Sequence, residues 1–238
     1  MRRRFFVEQF DGQSALVQGE KAHHLGRVLR AQVGQLYELS DGSRLRLGRI
    51  ESVSRDRVEF ALLEELPANE PALNVTLLLS VVKFDSFEWA IEKATELGVN
   101  SIVPLAAARS EKALLAAAEK RSERWKKIIL EAAQQSRRVR LPALQAVARP
   151  EAAFASCKTQ LGMFLSERPD APAVRQVLEN ATATEAMLAI GPEGGWTDDE
   201  VVLALKNGFR EASLGSLILR TETAVVAALA SLAYALGC

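Results

Sequence analysis

The stretch NVTLLLSVV, Asn74 to Val82, constrains this chain more than any other. It has no polar face, so a strand built from it must be covered on both sides, as the strands of a parallel sheet are. The downstream sequence keeps to that plan. DSFEWAIEKATELGV sets Phe87, Ile91 and Ala94 at helical spacing, with Asp85 or Ser86 as a cap and Gly98 as a stop. SIVPLAA reads as a strand. AEKRSERWKKIILEAAQQSRR reads as a long helix with Trp125, Ile128, Ile129 and Ala132 on one side. LGMFLS, AMLAIG and EASLG are further strands, PAVRQVLEN and TDDEVVLALKNG are helices between them, and a last helix starts near Thr221. Strands alternating with helices imply an α/β architecture with helices on both faces of a parallel sheet.

The N-terminal segment follows a different rule. RFFVEQF, ALVQG, QLYELSDGSRLRLGRIESV and RVEFALLEEL are short alternating runs, with Asp41-Gly42 as a tight turn and one helical piece, EKAHHLGRVLR. This predicts a small, mostly-β barrel, closed off by the proline-containing linker LPANEPALN. The expected domains are therefore residues 1–70 and 71–238. Hydrophobic residues make up 48% of the chain, enough for a sizeable core. The longest apolar stretch, AVVAALASLAYALG, is shorter than a membrane span and reads as a buried helix. The start has a basic cluster but no apolar core of a secretory signal, and Cys157 and Cys238 make no disulfide framework. A cytoplasmic protein with no membrane partner is the expectation.

Two strand-to-helix junctions stand out, because ligands of open parallel sheets bind where strands end at their carboxyl side. In LAIGPEGGWTDDE, three glycines let backbone amides approach a ligand and a proline stiffens the loop; an ordinary turn is the alternative reading. Glu193 in that loop would repel a phosphate, so a ligand with hydroxyls or an amine fits better. In LGSLILRTETAVVAALA, capping explains Thr221 or Thr223, and Glu222 suits a helix N-terminus. Capping does not explain Arg220, whose charge is unfavourable there unless an anion is paired or bound. No dinucleotide fingerprint or Walker loop is present. His23 and His24, the only histidines, have no companions at metal-ligand spacing, so no metal site is expected. The formal net charge is zero, so an RNA role must come from local patches. Eight Lys/Arg between Lys120 and Arg140 form one such patch, and Arg2 to Arg4 with Arg27, Arg30, Arg44, Arg46 and Arg49 form another.

AIGPEGGWTDDE followed by LGSLILRTETA resembles the RsmE family of bacterial 16S rRNA (uracil-N3)-methyltransferases. HHLGRVLRAQVGQLYELSDG, WAIEKATELGV, RSEK and EAAQQSRR extend the resemblance, in order, over essentially the whole chain. It implies an N-terminal PUA-like RNA-binding barrel (1–70) and a C-terminal SPOUT domain (71–238) with a deep trefoil knot over about 160–238. It also implies a homodimer acting on 16S rRNA of the small ribosomal subunit, with S-adenosylmethionine held in the knot. Carried over by motif position, the cofactor residues are Leu165, Ser166, Ile190, Gly191, Glu193, Gly194 and Gly195, then Leu214, Gly215, Ile218, Leu219 and Ala224. Arg220 is the candidate for stabilising charge on uracil oxygens, and Glu222 for a general base, against its competing role as a helix-start residue. RNA contacts are expected from Arg2, Arg3, Arg4, Arg27, Arg30, Arg109, Lys126, Lys127, Arg137 and Arg138. Leu217 stands where the family usually has Arg, and Arg137 where glycine is common. A methyltransferase for another RNA, and a non-catalytic ribosome-assembly factor with a vestigial pocket, are the alternatives.

Overall fold

The alternating runs of the N-terminal segment become strands in the computed structural model, which describes residues 3–237. Arg2 and Cys238 lie outside the described residues. The chain divides into two compact units, one of Met1–Glu70 with Ala133–Leu141, the other of Pro71–Ala132 with Pro142–Cys238.

The first unit contains β1 (Arg4–Phe6), β2 (Phe10–Asp11), β3 (Ser14–Gln18), α1 (Gly19–His23), β4 (Leu36–Ser40), β5 (Leu45–Val53) and β6 (Arg57–Leu66). A wider π-type turn, His24–Val28, continues α1. The strands form one curled sheet in the order β1-β4-β5-β6-β3-β2, with β1 parallel to β4 and the other pairs antiparallel. Alternate residues of the strands point into a core built on Leu39, Ile50, Val58 and the edge-to-face series Phe5, Tyr37 and Phe60. Gly48 is required there: a Cβ would stand 2.5 Å from the Leu39 side chain, at the point where the β5–β6 register shifts. The β4–β5 turn is closed by Asp41, whose Oδ1 accepts from the Ser43 and Arg44 amides at 2.9 and 2.7 Å. The returning segment 133–141 belongs to this unit through the Ser40 hydroxyl, which donates to the Val139 carbonyl at 2.6 Å, and through Arg4, which donates to the Arg137 carbonyl.

In the second unit the elements are β7 (Asn74–Ser80), α2 (Phe84–Glu96), β8 (Ser101–Leu105), α3 (Lys112–Gln135), β9 (Ala143–Leu144) and α4 (Pro150–Ala155). They continue with β10 (Leu161–Leu165), α5 (Val174–Leu178), β11 (Glu185–Ile190), α6 (Asp198–Lys206), β12 (Phe209–Ala212) and α7 (Thr221–Leu236). The strands are all parallel, in the order β12-β10-β11-β7-β8-β9. Central β7 shows why its sequence has no polar face. Leu77 and Leu79 join the core under α2, α3, α5 and α7, while Leu78 joins the opposite core under α4 and α6. Phe87, Ile91 and Ala94 are fully buried on α2, and Trp125, Ile129 and Ala132 are buried on α3.

Some boundaries differ from the sequence expectation. α2 starts at Phe84 after Lys83, so neither Asp85 nor Ser86 caps it. α3 begins at Lys112 rather than Ala118, because the alanine-rich KALLAAA run extends a helix readily. It ends at Gln135, just before Arg137 takes a positive φ of 58°. β12 starts at Phe209 and stops at Ala212. α4, with Pro150 in its first turn, was not anticipated.

Candidate functional site

Three loops follow the carboxyl ends of β10, β11 and β12, and together with the start of α2 they line one cavity of about 880 Å³. Sequence-predicted Leu165, Ser166, Ile190, Gly191, Glu193, Gly194, Gly195, Leu214, Gly215, Ile218, Leu219 and Ala224 all line it, and so does Arg220. Glu222, one residue into α7, is half-buried and is not among the lining residues. The sequence reading missed Lys83, Ser86, Glu167, Arg168 and Trp196, which line the same cavity. The end of β7 was a signal for Lys83, because it too is a carboxyl end in a parallel sheet.

The loop after β11 is shaped by its neighbours. Gly195 sits at φ 69°, and its amide donates to the Pro192 carbonyl at 2.8 Å. A Cβ on Gly191 would come within 3.1 Å of the Trp196 ring, and one on Gly194 within 3.3 Å of the Arg109 side chain. A side chain at either position would have to push its neighbour back by a few tenths of an ångström. The Trp196 indole donates to the Leu165 carbonyl at 2.8 Å and so ties this loop to the end of β10. Buried Glu200 does the same toward β8. One oxygen accepts from the Ala108 amide at 2.8 Å; the other accepts from the Thr197 amide and hydroxyl at 2.9 and 3.0 Å, completing a capping box. Arg109, exposed and expected to contact RNA, donates to the carbonyls of Gly194 at 2.7 Å and Trp196 at 3.2 Å and so braces the cavity loop.

The start of α7 corrects the capping expectation. Arg220 itself occupies the cap position, with extended backbone and no side-chain capping bond, while Thr221 is buried inside the first turn. The charge of Arg220 is thus left at the cavity rather than used to close the helix.

The basic patches separate on inspection. Arg3, Arg27, Arg30, Lys126 and Lys127 are exposed. Lys126 also pairs with Glu123 at 2.7 Å. Arg4 is not on an RNA face: it is buried, and its guanidinium meets Glu38 at 2.8 Å. Arg138 is buried as well, and burial pushes its guanidinium down from its usual value despite the Glu70 carboxylate. Arg137 is half-buried, 3.8 Å from Glu38. The burial of Arg4 and Arg138 within the sheet unit could not be read from a run of basic letters. Among the described residues no group of three or more His, Cys, Asp or Glu could hold a metal, and no helix is long and apolar enough to cross a membrane.

The donor set suits S-adenosylmethionine. Glycine-exposed amides and apolar walls from Leu165, Ile190, Leu214 and Ala224 fit an adenosine, and Glu167, Glu193 and Asp198 suit a cationic sulfonium.

Residues 69–233 match the model of an RNA methyltransferase domain, and residues 17–63 match that of an RNA methyltransferase PUA domain. Ribosomal RNA small subunit methyltransferase E of Synechocystis sp. is 36% identical over 88% of this chain and 69% of its own length. The Bacillus subtilis protein of the same name is 32% identical over 92% of this chain and 89% of its own. Among solved structures, ribosomal RNA small subunit methyltransferase E from Neisseria gonorrhoeae, bound to S-adenosyl methionine, superposes with a TM-score of 0.90. It has 29% identity and covers 99% of this chain and 98% of that one.

Proposed function

This chain belongs to the RNA methyltransferase family, and on that premise we propose that it methylates N3 of a uridine in 16S rRNA of the small ribosomal subunit. S-adenosylmethionine is the methyl donor. The observation that carries the reading is the cavity itself, where GPEGG and the segment ending in Arg220 line the same space. The bound cofactor supplies an electrophilic methyl group. Leu165, Ser166, Gly191, Glu193, Gly194 and Leu214 would hold it, through backbone groups and apolar contacts.

N3 of uridine is a weak acid, so the reaction needs its proton removed and the resulting charge stabilised. Arg220 supports the second need by presenting its guanidinium to the uracil oxygens. Glu222 is the candidate acceptor of the proton, directly or through water, in competition with its place in the first turn of α7. The target base must be unstacked to reach such a cavity. The first unit, as a PUA-like barrel, would hold the flanking RNA through exposed Arg3, Arg27 and Arg30, and Lys126 and Lys127 would add contacts from α3. A homodimer, a knotted C-terminal segment and a cytoplasmic place of work complete the reading.

The deciding experiment is transfer of labelled methyl from S-adenosylmethionine to small-subunit particles lacking the modification, followed by nucleoside analysis. The expected product is 3-methyluridine. Cofactor binding without transfer would overturn the reading in favour of another RNA substrate or an assembly factor.

A further inference from the structure

We propose that Lys83 is a second substrate-contacting cation, acting with Arg220 on the two carbonyl oxygens that flank N3 of the target uracil. This deepens, and rests on, the uridine-N3 reading.

Among the described residues four cationic side chains line the cavity: Lys83, Arg109, Arg168 and Arg220. Two of them are committed. Arg109 holds the carbonyls of Gly194 and Trp196, and Arg168 lies 3.4 Å from Asp170 and 3.8 Å from Glu211. Lys83 and Arg220 have neither an ion pair nor a side-chain hydrogen bond to any described residue. Both occupy the position just before the first turn of a helix, and neither side chain caps it. The two helices pack on each other, and Phe87 and Ile91 of α2 share one core with Val225 and Ala228 of α7. Each follows a strand of the same parallel sheet, central β7 for α2 and edge strand β12 for α7, so both helices begin on the side of the strands' carboxyl ends. A cation at such a position is disfavoured by the helix dipole, and an arriving anion relieves that cost.

The carboxylates of the lining are placed elsewhere. Glu167 and Glu193 stand on the loops after β10 and β11, and Asp198 in the first turn of α6. The glycine-rich side thus carries carboxylates beside the committed Arg109 and Arg168, while the unpaired cations stand where α2 and α7 begin, suited to an anion.

The uracil anion is such a ligand. When the N3 proton leaves, to water or to the Glu222 carboxylate, the charge spreads over N3 and both neighbouring oxygens. Two cations lower the cost of that state. The N3 lone pair then forms the bond to the methyl carbon, and the carbon–sulfur bond breaks with its electron pair remaining on sulfur. The products are neutral at N3 and at sulfur, with one proton released.

The test compares wild-type protein with Lys83→Ala and Lys83→Arg in single-turnover methyl transfer across pH. The small-subunit particles carry either uridine or 5-fluorouridine, whose N3 proton is more acidic. Cofactor affinity by calorimetry and the salt dependence of RNA binding are measured alongside. Lys83→Ala should lose roughly 100-fold on uridine, with its rate profile moved to higher pH. 5-Fluorouridine should recover most of that loss and Lys83→Arg part of it. Cofactor affinity and salt slope should match wild type. An unchanged rate on uridine overturns the proposal, and so does an equal loss on both substrates. A salt slope lower by about 1 also overturns it, because Lys83 would then be a phosphate contact. Wild-type protein that makes no 3-methyluridine strikes the functional reading and takes this assignment with it; an active wild type with an equally active Lys83→Ala strikes this assignment alone.

Discussion

The curled sheet and the parallel sheet use charge in opposite ways. In the curled sheet, Arg4, Arg44, Arg49 and Arg57 each meet a carboxylate of the same unit, at 2.8, 2.9, 2.9 and 2.6 Å. In the cavity of the parallel sheet, Lys83 and Arg220 meet none. Those four arginines of the first region are paired within their own unit, as Arg109 and Arg168 are in the cavity, whereas Lys83 and Arg220 are the cations proposed to meet a ligand.

The contrast can be broken most sharply at Arg4. Its pair with Glu38 is buried on both sides, so Arg4→Ala leaves an uncompensated carboxylate and should cost about 3–5 kcal/mol in urea denaturation. If the loss is below 1 kcal/mol, the pair is not structural. Arg220→Ala should do the reverse, with unfolding midpoint unchanged and single-turnover methyl transfer down about 10²–10³-fold. A stability loss at Arg220 comparable to that at Arg4 would erase the distinction. Glu200→Ala tests a residue that serves both ends: it should cost about 1–2 kcal/mol of stability and weaken cofactor binding, read by calorimetry. The smallest effect concerns Asp41. Burial pushes its carboxyl up, but hydrogen bonds from the Arg44 and Ser43 amides and side chains outweigh this and hold it at about 2. Because the folded value lies below the unfolded one, its contribution is full above about pH 4 and is lost as pH falls toward 2. Asp41→Asn should therefore flatten stability across that interval by about 1 kcal/mol, after allowing for solvent screening.

What could be read beforehand follows the same division. β7 was legible because burial on both faces removes polar letters from the strand itself. The glycine loop was legible because its glycines stand out in the sequence, and Gly191 and Gly194 sit where a Cβ would crowd a neighbouring side chain. The partners that impose those glycines, Trp196 and Arg109, were not legible in that role, since they act across loops far apart in sequence. Arg4 deceived for a related reason: its partner is 34 residues away, and adjacent arginines give no hint of which one turns inward. Lys83 was hidden by a boundary error, because a helix thought to begin at Asp85 or Ser86 left it in an unremarked connection.

One consequence concerns synthesis. The first unit includes residues 133–141, anchored by Ser40 and Arg4, so its last piece is translated long after Leu66 ends the final strand of the curled sheet. At about 5–20 residues per second, the nascent sheet waits roughly 4–15 s for that segment while the first strands of the other unit emerge. A fragment ending at residue 70 would leave the guanidinium of Arg4 and the hydroxyl of Ser40 without the carbonyls of Arg137 and Val139 that accept from them. Arrested nascent chains should show the sheet gaining protease resistance only when arrest moves beyond residue 141 by the length of the exit tunnel.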